Sequence, residues 1–119
     1  MKYRGSCHCG AVAFEAEMEV AKAMVCNCSI CQRKGALMAF VPASAFRLLT
    51  PEDAMSTYTF NRHVIRHRFC KVCGIHAFGE GTLPDGRHMM AINLRCVDGI
   101  EPDSLAVEHY NGRALPLEA

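Results

Sequence analysis

The sequence predicts a small, mainly β domain of antiparallel sheets with one short helical turn. Three observations support this prediction. The apolar runs are short and rich in aromatic or β-branched residues, which favours strands. Turn-forming residues separate the runs, and only one stretch has clear helix start and stop signals. With 119 residues, half of them hydrophobic, the chain can bury one ordinary core, so we expect a single domain over residues 1–119.

The individual elements follow from local patterns. Strands are predicted where short apolar runs lie between turn signals, at residues 11–17, 36–41, 55–60, 64–69, 75–78 and 89–94. The helical turn is predicted over residues 29–34, because Ser29 can cap its start and Gly35 can end it. Turns are expected at Asn61-Arg62, at residues 84–86 and at Asp98-Gly99, and residues 114–119 are expected to fray.

Charge and hydropathy exclude several classes of partner. Lys and Arg number 13 against 12 Asp and Glu, and no segment concentrates the basic residues. Such a chain lacks the electrostatic footprint for nucleic acid or an anionic membrane, so we expect a small-molecule partner. The first residues form no apolar stretch of signal-peptide length, and no run approaches the roughly 18 apolar residues of a membrane span. We therefore expect a cytoplasmic protein.

The eight cysteines carry most of the functional information. In a reducing compartment, closely spaced cysteines hold metal more often than they form disulfides. Three groups are evident in the sequence, CHCG at 7–10, CNCSIC at 26–31 and CKVCG at 70–74, while Cys96 stands alone. We expect Cys96 to be a core thiol beside Leu94 and Val97.

The first and third groups together predict a closed zinc site. In both groups a glycine follows a cysteine, which lets the backbone fold tightly around a metal. Two such half-sites supply the four thiolates of a structural zinc ion, which we assign to Cys7, Cys9, Cys70 and Cys73. The loop between the half-sites costs about 3.6 kcal/mol of closure entropy, well below the ~10–16 kcal/mol of structural zinc binding.

The second group predicts an open zinc site. Cys26, Cys28 and Cys31 lie within six residues, yet they are one ligand short of a tetrahedral set. An open position is typical of catalytic zinc, and three thiolates make the ion better suited to binding a thiol than to activating water. The predicted complement is therefore two zinc ions per chain. Arg33 and Lys34 are close enough in sequence to offset the negative charge of a bound thiolate.

Other interpretations of these cysteines stay open at this point. The set of four could be a disulfide pair or buried free thiols. The set of three could hold a second structural zinc completed by Cys96 or a histidine, or could ligate an iron–sulfur cluster. Both zinc ions could also stabilise a binding surface in a protein that is not an enzyme.

Three sequence blocks resemble the signature blocks of a known family. They are GSCHCGAVAFE at 5–15, CNCSICQR at 26–33 and HRFCKVCGIH at 67–76. Their joint pattern resembles the glutathione-dependent formaldehyde-activating family, also called the CENP-V/GFA domain, and the resemblance extends from about Tyr3 to about Tyr110. It is far more specific than a single CxxC motif.

The resemblance implies a fold, metal sites and an activity. The implied fold is a β-tent of antiparallel sheets that carries zinc. The implied metal sites are a structural zinc on Cys7, Cys9, Cys70 and Cys73 and a catalytic zinc on Cys26, Cys28 and Cys31. The implied activity is carbon–sulfur lyase chemistry that interconverts S-(hydroxymethyl)glutathione with glutathione and formaldehyde.

The sequence makes weaker predictions about the roles of residues around the motifs. Arg33 is the candidate for binding a glutathione carboxylate. His67 and His76 flank the Cys70 and Cys73 half-site, where one of them could act as a donor behind the metal ligands, although packing or solvent exposure is the more common state. The sequence does not predict the oligomeric state.

Overall fold

The computed structural model describes residues 1–60 and 62–112, and it is mainly β. Its strands, in chain order, are β1 (Lys2–Ser6), β2 (Ala13–Glu17), β3 (Lys22–Cys26), β4 (Met38–Pro42), β5 (Phe46–Leu48), β6 (Met55–Tyr58), β7 (Arg66–Cys70), β8 (Phe78–Thr82), β9 (His88–Asn93) and β10 (Ala106–Tyr110). One α-helix, α1 (Ser29–Lys34), is present among these residues. Short 3-10 turns occur at Ala43–Ala45, Glu52–Ala54, Leu94–Cys96 and Pro102–Ser104.

The strands form two sheets. The smaller sheet has the order β1-β2-β5, and the larger has the order β10-β3-β4-β9-β8-β7-β6. Every pair of neighbouring strands is antiparallel except one: β10 runs parallel to β3. A parallel pair needs a crossover rather than a tight hairpin, and here the whole chain between β3 and β10 supplies it.

The core lies where the two sheets face each other. Phe14 of β2 and Phe46 of β5 stack with ring centroids 5.2 Å apart, and Phe78 of β8 contacts Phe46 at 4.7 Å. Phe14 and Phe78 are almost fully buried, and burial of one such side chain contributes about 1.5–3 kcal/mol. These aromatic contacts join the small sheet to the large one.

The fold class predicted from the sequence is confirmed. The predicted strands at 11–17, 36–41, 55–60, 64–69 and 89–94 correspond to β2, β4, β6, β7 and β9, with ends shifted by a few residues. The turns at residues 84–86 and at Asp98-Gly99 are also present. Asn61, in the expected Asn61-Arg62 turn, and residues 114–119, which were expected to fray, lie outside the described residues.

One strand prediction is wrong and four strands were not predicted. Residues 75–77 are not a strand, because the backbone of Cys70 and Ile75 closes the cysteine turn with an N–H···O bond of 3.0 Å; β8 begins only at Phe78. The strands that the sequence pattern missed are β1, β3, β5 and β10. They are short, charged or rich in small residues, so pairing with neighbours rather than local propensity forms them.

Helix α1 has the predicted bounds but a different N-terminal cap. Cys28, rather than Ser29, is the N-cap residue, and no side chain caps the helix. Gly35 ends the helix in the left-handed conformation, with φ 67°, and its N–H bonds to the carbonyl of Cys31. Residues 26–31 thus form a strand end, a cap and the first helical turn, which brings their side chains together.

Candidate metal centres

The first cluster contains the four cysteines predicted from the two glycine-flanked half-sites. The sulfur atoms of Cys7, Cys9, Cys70 and Cys73 lie within 4.8 Å of one another. The Cys7–Cys9 separation is 3.7 Å and the Cys9–Cys70 separation is 3.6 Å. A tetrahedral zinc with Zn–S bonds of about 2.3 Å requires S–S separations of roughly 3.8 Å, so the arrangement fits a four-thiolate zinc.

Backbone turns build this cluster at the ends of β1 and β7. Gly10 and Gly74, at φ 86° and 77°, take the left-handed conformation that each cysteine turn needs. Cys70 ends β7, and its sulfur accepts the N–H groups of Val72 and Cys73 at 3.3 and 3.5 Å. N–H groups aimed at sulfur favour the thiolate form that a metal requires.

The second cluster contains the three cysteines at the start of helix α1. The sulfur atoms of Cys26, Cys28 and Cys31 also lie within 4.8 Å of one another. Burial raises the pKa of Cys28, but the backbone N–H of Cys31 and hydrogen bonds from the neighbouring thiols outweigh it, and the net pKa is lowered. Within residues 1–60 and 62–112, no further Cys, His, Asp or Glu joins this group of sulfurs. The cluster therefore fits a metal with three protein thiolates.

Cys96 lies near the first cluster rather than the second. Its half-buried thiol packs against the main core, as expected, and faces the carbonyl of His76 at 3.9 Å. Burial, together with the charges of Cys7 and Cys73, raises the pKa of Cys96 to about 11. The possibility that Cys96 completes the cluster of three is not supported by this position.

The chain beyond β10 covers one side of the second cluster. The N–H of Asn27 bonds to the carbonyl of Tyr110 at 3.2 Å, and the side chains of Asn27 and Asn111 are joined at 2.9 Å. Gly112 is buried directly against the sulfur of Cys26. Strand β10 therefore positions a wall of the site, which the cysteine spacing did not indicate.

Lys34 links the second cluster to the two motif histidines. Its ammonium nitrogen lies 3.2 Å from Nδ1 of His67 and 3.3 Å from Nε2 of His76. Burial lowers the pKa of Lys34, while Cys31 and, to a smaller extent, the other two thiols of the cluster act to raise it. Burial and the charge of Lys34 lower the pKa of each histidine to about 4, so both rings are neutral at pH 7.

Sequence reasoning did not predict this arrangement of Lys34, His67 and His76. His67 is buried, with its ring stacked on Phe60 at 5.6 Å, so the packed state expected for it is confirmed. The signal that could have singled out Lys34 is its spacing from Cys31, because residues three apart lie on the same side of a helix.

Arg33 lies on the exposed side of the same helix. Its guanidinium donates to the carbonyl of Ser29 at 2.8 Å, within α1 itself. No described contact joins it to the cysteines, and its assignment to a glutathione carboxylate stays a prediction.

Comparison with known proteins identifies the family. Residues 2–111 match the family model of the glutathione-dependent formaldehyde-activating enzyme. The fold is similar to the crystal structure of a Rhodobacter sphaeroides protein solved as a structural genomics target, with a TM-score of 0.76 and 29% identity over 88% of this chain and 99% of that one. Among the described residues, no helix combines the length and apolar character needed to cross a membrane. With its two cysteine clusters able to hold metal, this chain belongs to the glutathione-dependent formaldehyde-activating enzyme family.

Proposed function

We propose that the protein is a zinc-dependent carbon–sulfur lyase that handles S-(hydroxymethyl)glutathione or a related thiol adduct at the second cluster. The observation that carries the proposal is the group of three sulfurs from Cys26, Cys28 and Cys31, which no other described ligand joins. Three protein ligands and one open position are typical of a catalytic zinc site.

The two clusters have different proposed roles. Cys7, Cys9, Cys70 and Cys73 hold a structural zinc with no position left for a substrate. Cys26, Cys28 and Cys31 hold the catalytic zinc, which when bound lowers the pKa of a coordinating thiol. We further propose that residues 1–119 form one domain, that it acts in the cytoplasm and that it carries two zinc ions.

The chain's own residues support handling of a thiol. Breaking the carbon–sulfur bond of the hydroxymethyl adduct releases formaldehyde and leaves the electron pair on sulfur, while the hydroxyl proton is lost. Lys34 supplies a positive charge beside the three thiols, which opposes the build-up of negative charge. His67 and His76 are neutral at pH 7, so they hold Lys34 in place without adding charge.

A second candidate is a zinc-stabilised binding module without catalytic activity. The packing of Gly112 against Cys26 favours it, because this contact restricts access to one side of the cluster. The adduct also forms spontaneously, so thiol binding alone does not establish catalysis.

Cobalt substitution tests the proposal and separates the two candidates. In protein loaded with two cobalt ions, glutathione should change the thiolate-to-metal absorption of the second site, whereas S-methylglutathione should not, because its sulfur cannot become a thiolate. No spectral change at saturating glutathione would contradict a thiol-binding site. A spectral change without faster formaldehyde exchange than in buffer would favour the binding module.

A further inference from the structure

A cavity of about 690 Å³ opens beside Lys34, within the size range of small-molecule sites. Its lining includes Lys34, His76, Asn93, Arg95 and Asp98. None of the three cysteines of the second cluster lines it. Lys34 connects the cavity to that cluster, because it lines the cavity and lies three residues after Cys31 on α1, on the same side of the helix.

The ammonium of Lys34 has an unused donor. A lysine ammonium has three N–H groups, and His67 and His76 occupy two of them. The third has no acceptor among the described residues. Because the two neutral rings fix the position of the nitrogen, this donor is already oriented before a ligand arrives.

Arg95 supplies a second positive charge to the cavity. Its guanidinium forms no ion pair within residues 1–60 and 62–112, whereas Asp98, the acidic residue of the lining, faces Arg4 at 3.9 Å. Asn93 fixes the wall, because its side chain donates to the carbonyl of His76 at 2.9 Å and accepts the N–H of Arg95 at 3.2 Å. The lining thus presents two cations, Lys34 and Arg95, while its anionic groups have other partners: Asp98 faces Arg4, and Cys7 belongs to the first cluster.

We propose that this cavity binds a carboxylate of the thiol ligand, with Lys34 and Arg95 as the binding cations. The proposal rests on the proposed function, since it places the ligand's sulfur at the second cluster. The ligand class is an acidic thiol whose carboxylate reaches Lys34 while its sulfur lies at the second cluster. Glutathione meets this requirement, because its central cysteine has a carboxylate-bearing residue on each side.

Three probes and four variants test the cavity in the two-cobalt protein, and calorimetry measures the affinity of each probe, because S-methylglutathione is expected to leave the cobalt spectrum unchanged. Glutathione carries thiol and carboxylates, 2-mercaptoethanol carries only the thiol, and S-methylglutathione carries only the carboxylates. The variants are Lys34→Met, Arg95→Gln, Arg33→Gln and, as an exposed control on β5, Arg47→Gln. Circular dichroism and cobalt content confirm that each variant is folded and loaded.

The expected result separates binding of the carboxylate by the two cations from binding of the sulfur at the second cluster. Lys34→Met and Arg95→Gln should each weaken glutathione and S-methylglutathione roughly ten- to a hundredfold, as for a lost hydrogen bond to a charged group. Lys34→Met should weaken 2-mercaptoethanol by a smaller factor than glutathione, because only the charge beside the sulfur is lost for that probe. Arg95→Gln should leave the 2-mercaptoethanol affinity unchanged, and Arg47→Gln should change nothing.

Other results overturn the proposal in distinguishable ways. Equal weakening of glutathione and 2-mercaptoethanol in Lys34→Met would assign Lys34 to the sulfur rather than the carboxylate. A loss in Arg33→Gln with none in Lys34→Met would assign the carboxylate to Arg33. If no thiol changes the cobalt spectrum, the proposed function fails. In that case, S-methylglutathione binding that depends on Lys34 would still support a carboxylate site in the cavity. S-methylglutathione binding that does not depend on Lys34 would exclude both the proposed function and the carboxylate site.

Discussion

Gly112 lies so close to Cys26 that a Cβ atom at residue 112 would come within 2.5 Å of the cysteine sulfur. The same Cβ would lie 3.0 Å from Cβ of Cys28. Because both contacts are with the second cluster, the size of residue 112 bears directly on how the cysteines of that cluster are arranged.

Substitution of Gly112 by alanine should therefore weaken the second metal site. We expect Gly112→Ala to bind one zinc ion firmly and the other weakly, because the added methyl group must displace Cys26 or the chain itself. Competition with a chelator, monitored by metal analysis, would measure this. Gly86→Ala is the control: it strains the turn between β8 and β9, at φ 91°, where an added Cβ would contact no other residue, and it should retain both ions. Two firmly bound ions in Gly112→Ala would contradict the prediction.

The two clusters should respond differently to loss of a ligand. Cys70 is almost fully buried at the end of β7 and joins residues far apart in the chain, so Cys70→Ser should impair folding. Cys28 is half-buried in a local cluster, and Cys28→Ser should keep the fold but empty the second site. Circular dichroism and zinc content distinguish the two results. Equal loss of structure in both variants would mean that the second zinc also stabilises the fold.

Stability should rise with pH between about 4 and 6.5. Burial and Lys34 lower the pKa of His67 and His76 to about 4 in the folded chain, against about 6.5 when unfolded. Between pH 4 and 6.5 the unfolded chain binds more protons than the folded chain does. The free energy of unfolding therefore falls as the pH falls. Each histidine contributes at most about 3 kcal/mol to the free energy of unfolding. This contribution is fully present above pH 6.5 and is lost as the pH falls toward 4.

Denaturant unfolding from pH 5 to 8 with saturating zinc would measure this dependence. Protonation of the cysteine ligands gives a slope of the same sign, so the informative comparison is with His67→Gln, which can still accept from Lys34. The slope below pH 6.5 should be smaller in the variant. Equal slopes would show that His67 does not contribute.

Arg68 should contribute more to the free energy of unfolding than an exposed arginine does. It is buried on β7, where it bonds to Glu80 at 2.6 Å and also pairs with Glu52. Arg68→Met leaves Glu80, which is mostly buried, with one cation fewer, so we expect a loss of about 3 kcal/mol in the free energy of unfolding. The double variant Arg68→Met, Glu80→Met should recover part of the loss. A double variant less stable than the single one would contradict this.

The cysteine clusters and the helix end could be predicted from the sequence because metal coordination allows few arrangements and the helix end depends on one neighbouring glycine. Few arrangements satisfy four thiolates around one ion, so the division into Cys7, Cys9, Cys70 and Cys73 and a separate set of three followed from counting ligands. Gly35 marked the end of α1 because it can adopt the left-handed conformation without strain.

The surroundings of the clusters depend on contacts between distant parts of the chain. Lys34 meets His67 and His76 only because β7 and the segment before β8 pack beside the end of α1, and no local pattern encodes that approach. Strand β10 consists of residues that are all exposed, so hydrophobic alternation could not reveal it or its pairing with β3. The sequence favoured Arg33, but Arg33 bonds to the carbonyl of Ser29 on the exposed side of α1, whereas the buried Lys34 contacts the histidines.

The parallel pairing of β10 with β3 also bears on the order of events during synthesis. The four residues of the first cluster have all been translated once Cys73 is made, but Tyr110, which pairs with Cys26, comes much later. A ribosome-bound chain can therefore assemble the four-thiolate site while the second cluster still lacks its neighbouring strand and the cover from Gly112. A metal captured early by Cys26, Cys28 and Cys31 would be held in a more open surrounding than the finished protein provides.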